Sequence, residues 1–108
     1  PLMDVETFER RSEDGRLAAG CTGVAIAEMP GSTGYPAAMA QAGVAGSAQV
    51  LVLVDSAGRA VEAHAVCASV PEFAAPAVAT ALAIRYRPAR CDGADQRAAA
   101  RVAFAYAP

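Results

Sequence analysis

The chain has 108 residues, a formal net charge of -2, and a hydrophobic fraction of 55% with only 6% aromatic residues. That length fits one domain, and so apolar a composition with 19% charge excludes a disordered chain. The charge balance gives no reason to expect nucleic acid, and no apolar run approaches the ~20 residues of a membrane-spanning helix.

Ala fills 29 positions, all nine basic residues are Arg, and Trp is absent. Ala buries little area, so the core must rest on a few Val, Leu, Ile, Phe and Tyr side chains. The Ala and Arg excess reads as a coding bias rather than a functional signal. The chain begins at Pro1, which reads as a processed or cut chain and leaves room for a leader or anchor upstream. Residues 17–21, Leu-Ala-Ala-Gly-Cys, look like a lipoprotein processing site. The charged stretch before them, 9–16, lacks the apolar run such a site needs, so an ordinary small-residue strand is the better reading.

Residues 1–34 are acidic, with six acids against three bases, whereas 35–108 carry five acids and six bases. The first part reads as a β-hairpin. Residues 5–10 alternate as a strand, Ser12-Glu13-Asp14-Gly15 is a turn signal, and a second strand runs on from Arg16 to Ala27. Residues 29–34 have the composition of a linker. A short helix follows, with Pro36 at its first position, the helix formers 37–42 as its body and Gly43 as its C-terminal cap.

Residues 48–54 give the clearest strand, β-branched and apolar on both faces, as a central, doubly covered strand would be. Asp55-Ser56-Ala57-Gly58 turns into a second strand, 59–68. Strict alternation there puts Val61, Ala63, Ala65 and Cys67 on one face and Glu62, His64, Val66 and Ala68 on the other. A helix occupies about 71–84, with Ser69 as its N-cap. Pro76 favours a regular part that starts near Ala74, which leaves the proline inside the first turn. Residues 85–89 are extended before Pro88, Asp92-Gly93 turns, and a last strand spans 97–106. Along it Ala100, Val102, Phe104 and Tyr106 point one way, and Arg97, Arg101 and small Ala residues the other.

Chemistry is sparse. His64 is the sole imidazole, beside Glu62 on one strand face, which suits a solvated pair better than a catalytic one. No Gly-rich phosphate loop follows a strand. No Cys pair has C-x-x-C spacing, so no metal or cofactor is expected. Cys21, Cys67 and Cys91 permit one disulfide and one free thiol, or three buried thiols. The five Arg at 85, 87, 90, 97 and 101 form the one basic cluster, either a solvated face or a patch that steers an acidic peptide.

One ordered set of residues carries more. Tyr35-Pro36 opens the first helix and Gly43-Val44-Ala45-Gly46 leads into the first strand. Val54-Asp55 and Gly58-Arg59 frame the turn, with Val61 and Ser69 on either end of the second strand. Phe73 and Ala77 mark the helix, Arg85-Tyr86-Arg87-Pro88-Ala89 follows it, and Asp92-Gly93 precedes a strand with Val102 and Phe104. Over residues 35–106 this array resembles the C-terminal domain of TonB, the periplasmic energy transducer of Gram-negative bacteria. Where the family often has Gln before Tyr-Pro this chain has Gly34, and Leu82, Ala83 and Ile84 stand where a basic pair and Trp are usual.

The resemblance implies an α+β fold, a three-stranded antiparallel sheet packed against two helices. Its order is 2-1-3, with 97–106 at an edge. The N-terminal hairpin of 1–34 is an addition to the TonB-like domain of 35–108. The resemblance further implies a non-enzymatic periplasmic domain that binds the "TonB box" peptide of an outer-membrane transporter by strand addition. The docking residues would be Arg97, Arg101, Val102, Ala103, Phe104 and Tyr106, with Tyr35 and Pro36 nearby. Contact with inner-membrane proton-channel proteins would run through regions absent here, in a form anchored to or secreted across the inner membrane. The alternative is a stand-alone assembly module that uses the same edge to form a homodimer, or to receive the N-terminal hairpin. In that topology Cys67 and Cys91 lie beyond opposite ends of the long helix, about 20 Å apart, against ~5.5 Å for bridged Cα atoms. A disulfide should therefore join Cys21 to Cys91 or to Cys67.

Overall fold

In the computed structural model the described residues are 2, 4, 20–31 and 34–108. In chain order they form β1 (Ala25–Glu28), α1 (Ala37–Gln41), β2 (Gly46–Val54), β3 (Ala60–Ala68), a 3-10 turn (Pro71–Phe73), α2 (Ala74–Ala83), β4 (Arg85–Arg87), β5 (Ala89–Cys91), β6 (Ala94–Gln96) and β7 (Ala98–Tyr106). β3, β2 and β7 make the main sheet in that order, with both pairings antiparallel. This is the expected 2-1-3 arrangement of an α+β fold, with the last strand at an edge.

The crossover explains the order. α2 carries the chain from the end of β3 back along the sheet, so β7 runs parallel to β3 and antiparallel to β2. β2 is central because its side chains are apolar on both faces. Ala48, Val50, Val52 and Val54 face the helix side, where they pack with Phe73, Ala77, Ala81, Ile84 and Tyr86. Leu51 and Leu53 are buried on the opposite face, with Val66 against them. Phe73, Leu53, Val50, Val52 and Val54 are the largest fully buried side chains. At about 1.5–3 kcal/mol each, these few residues carry the core of an Ala-rich chain.

α1 ends as its sequence predicts. Gly43 takes a left-handed φ of 70°, its amide bonds the Ala40 carbonyl, and the Val44 amide bonds the Met39 carbonyl. This double contact satisfies the last carbonyls of the helix. Pro36, expected as the first helical residue, is instead the N-cap, with ψ at 132°. α2 starts at Ala74 after the 3-10 turn, so Pro76 sits where its missing amide leaves no bond unmade. Ser69 does not cap it. Its hydroxyl accepts from the Ser47 amide at 2.9 Å and ties the end of β3 to the start of β2.

β3 corrects the expected alternation. The pairing with β2 slips twice, between Gln49 and Val50 and between Leu53 and Val54, so Val66 and Val61 are extra residues. Each bulge resets which face a side chain takes. Ala60, Ala63 and Ala68 therefore join the core, whereas Val61 is 50% exposed and Cys67 is exposed. Glu62 and His64 do pair, at 2.7 Å, half-buried rather than fully solvated.

After α2 the chain builds two small antiparallel pairs. β5 and β6 form a hairpin about Asp92 and Gly93, both at positive φ, the geometry that two-residue hairpin turns require. Composition signals the turn, but not that β6 ends at Gln96 and leaves Arg97 outside β7. β4 pairs with β1: Ala25 stands opposite Arg87 and Ile26 opposite Tyr86. Residues 5–10 of the expected hairpin lie outside the described residues. Gly34 has φ 75°, and a Cβ there would meet the Thr80 hydroxyl at 2.6 Å. Close passage over α2 thus accounts for glycine where Gln is usual in the family.

Candidate strand-addition edge

The sheet has two outer edges, β3 and β7, and among the described residues each strand pairs only with β2. They differ in regularity. β3 carries two bulges, a device that twists an edge away from further pairing. β7 pairs with β2 over nine consecutive positions, from Gly46 opposite Tyr106 to Val54 opposite Ala98, without a slip. Its outer edge is accordingly a straight, regular row of backbone donors and acceptors.

The side chains of β7 alternate cleanly. Val102, Phe104 and Tyr106 are buried in the core, while Arg101 and Ala103 are exposed on the opposite face. The Arg101 guanidinium donates to Gln49 Oε1 at 3.1 Å. Val102, Phe104 and Tyr106 can therefore offer a ligand only their backbone. Arg97 is exposed but precedes the strand.

Tyr35 stands at the Tyr106 end of β7. Its ring lies 5.6 Å from that of Tyr106 and 5.9 Å from that of Phe73, and its hydroxyl donates to the Val44 carbonyl. Phe73 and Tyr106 stack at 4.6 Å. This aromatic cluster anchors one end of the edge. Among the described residues the buried Tyr106 hydroxyl has no hydrogen-bond partner, and burial raises its pKa. Burial likewise pushes the Tyr86 hydroxyl up to about 12, where it donates to the Ala81 carbonyl at 2.7 Å. Pro36 remains beside this cluster as the helix cap.

The neighbour of this edge comes from the N-terminal segment, which the sequence offered only as the alternative occupant of the edge. Val24, Ala25 and Ile26 stand across a cleft of about 290 Å³ from residues 100–103, with Tyr86 also lining it. The apolar character of 24–27 marks a strand, but its partner, β4, lies sixty residues away by chain order and leaves no local signal. Cys21 and Cys91 form a disulfide, with Cα atoms 4.4 Å apart, one of the two pairings expected. Cys67 is free. The bonded sulfur of Cys21 is not available for a lipid. Thr22 and Arg90 exchange two backbone hydrogen bonds beside the bridge, at 2.8 and 3.0 Å. The Arg cluster is exposed throughout, and Arg90 pairs with Asp95 at 3.6 Å.

Among the described residues no cluster of His, Cys, Asp or Glu could hold a metal ion. Fold and edges together define a small α+β domain whose main sheet ends, among the described residues, in one regular edge and one bulged edge. Residues 32–108 match the family model of the Gram-negative bacterial TonB protein C-terminal, and the chain belongs to that family. It is a family of protein-interaction domains rather than of enzymes. No curated protein matches the chain.

Proposed function

We propose that this domain binds an extended peptide of an outer-membrane transporter by adding it as a fourth strand to β7, and that it passes on energy from the inner membrane. The observation that carries this reading is the contrast between the two edges: nine positions of unbroken register in β7 against two bulges in β3. Strand addition draws its affinity from main-chain hydrogen bonds, so a regular edge is what it needs. Arg101 and Ala103 would meet the peptide's side chains on one face. Val102, Phe104 and Tyr106 would supply backbone, and Tyr35 and Pro36 would bound the site at one end. Arg97 would act from the link between β6 and β7.

The disulfide favours an oxidising compartment, in keeping with a periplasmic domain of a Gram-negative cell. An inner-membrane anchor and contacts with proton-channel proteins would belong to regions beyond this chain. In this reading residues 35–108 are the transducing domain and 1–34 an accessory segment strapped to it by the disulfide. A second reading, an assembly module whose edge is covered by its own N-terminal segment, draws on the proximity of Val24, Ala25 and Ile26 to β7. Among the described residues, however, no backbone hydrogen bond joins them to β7.

Isothermal titration with transporter-derived box peptides tests the proposal. Saturable binding supports it. No binding at high micromolar concentration, with the fold intact, would overturn it, and a tight dimer by sedimentation would favour the assembly module.

A further inference from the structure

The cleft beside β7 has two walls of different origin. One is β7 itself at 100–103. The other is Val24, Ala25 and Ile26, which lie outside the family-matched span of 32–108. This second wall is firmly held. Ala25 and Ile26 pair with β4, Thr22 and Arg90 exchange two backbone hydrogen bonds, and Cys21 is bonded to Cys91. Val24 packs against the core. Ile26 does not follow it inward and remains 45% exposed, a large apolar side chain on the rim of an open cleft.

The two faces of β7 also differ in chemistry. Of the β7 residues that line the cleft opposite residues 24–26, Ala100 and Val102 belong to the core side, and Arg101 and Ala103 to the exposed side. On the exposed side the Arg101 guanidinium reaches along the sheet to Gln49. A strand added to β7 presents alternate side chains to these two environments. One set meets the apolar side chains of residues 24–26 across the cleft, and the other passes a cation.

Resting on the strand-addition reading above, we infer that the N-terminal segment is the second wall of the docking site. Its occupant is an extended segment of another protein in which apolar and acidic residues alternate. The apolar residues enter the cleft against Ile26, and an acidic residue lies beside Arg101. The selectivity of the site then comes from a segment that the family fold does not itself contain. β7 supplies generic backbone affinity, Ile26 rewards apolar side chains at every second position, and Arg101 fixes which face of the peptide turns outward.

The test uses the oxidised full chain and two synthetic ten-residue peptides, one alternating Val with Glu and one alternating Val with Lys, titrated by fluorescence anisotropy. The Val/Glu peptide is expected to bind more tightly. Ile26→Ser should weaken it by about five- to tenfold, the effect of leaving a half-exposed Ile uncovered. Arg101→Glu should reverse the preference toward Val/Lys. Because Ile26 and Arg101 are both exposed, thermal melting should show that the two variants keep the fold. Peptides that perturb β7 amides by NMR yet bind wild type and Ile26→Ser equally would overturn the second wall while leaving strand addition standing. An unchanged preference in Arg101→Glu would overturn the acidic assignment. If neither peptide perturbs β7 at millimolar concentration, strand addition itself fails and this inference with it.

Discussion

Gly58 and Tyr86 meet backbone to backbone: the Tyr86 amide donates to the Gly58 carbonyl at 3.0 Å, and a Cβ on Gly58 would collide with the Tyr86 carbonyl oxygen. The hairpin turn between β2 and β3 is thereby tied to β4, the strand that holds β1 in place. Gly58 also has φ 86°, which side chains other than hydrogen rarely tolerate. Gly58→Ala should cost about 2–4 kcal/mol, from left-handed strain and a backbone clash that cannot relax. Urea unfolding measures it. A loss below about 1 kcal/mol would mean that the turn and β4 do not touch in this way.

The Tyr106 hydroxyl is buried and has no partner among the described residues, so it contributes desolvation without a compensating bond. Tyr106→Phe keeps the stack on Phe73 and removes the orphan oxygen. Stability should stay level or rise by up to ~1 kcal/mol. A clear loss on thermal melting would show that the hydroxyl has an ordered water or other partner.

The Cys21–Cys91 bridge closes a loop over a sequence separation of 70 residues. Constraint of the unfolded chain over that length corresponds to about 4 kcal/mol. The Cys21→Ser, Cys91→Ser double variant should lose stability on that order. Native oxidised protein should show one reactive thiol, Cys67, which is exposed. Three titratable thiols without reductant would contradict the bridge.

Two pH limbs follow from the side chains. The Tyr86 pKa is raised by burial from 10.0 to about 12. Above pH 10 the unfolded chain releases this proton and the folded chain keeps it, so stability is full below 10 and falls as pH rises toward 12. Asp55 behaves oppositely. The Arg59 amide chiefly holds its carboxyl below the ordinary 3.8, with the Ala57 amide adding to this and burial opposing it. Its contribution is present above 3.8 and is lost as pH falls through the lowered value. Tyr86→Phe should make the alkaline limb shallower, the buried Tyr106 hydroxyl carrying what is left, and Asp55→Asn should flatten the acid one, both read from urea midpoints against pH. Unchanged limbs would assign the titration to other groups.

The sequence makes much of this fold legible because its signals are local. Val50, Val52 and Val54 on one face with Leu51 and Leu53 on the other announce a central strand. Gly43 announces the end of a helix, and Pro76 dates the start of α2. What escapes is non-local or breaks a period. Nothing local distinguishes Val61 and Val66 as bulge residues, and each bulge moves its neighbours to the other face. Ser69 has the chemistry of a cap, but its hydroxyl accepts from the Ser47 amide instead. Arg97 looks like the first residue of β7, yet the β5–β6 hairpin ends just before it. The edge residues 101–106 are readable from alternation, whereas the wall at residues 24–26 depends on pairing with β4, sixty residues further along the chain.

The central claim is that β7, and not β3, receives an added strand. Amide hydrogen exchange of the oxidised protein, followed by NMR with and without a box-type peptide, tests it most directly. The amides of Ala98–Tyr106 that do not bond β2 should become protected on binding, while the outer amides of Ala60–Ala68 stay as they were. Protection gained along β3, or binding that leaves both edges unchanged, would contradict the account.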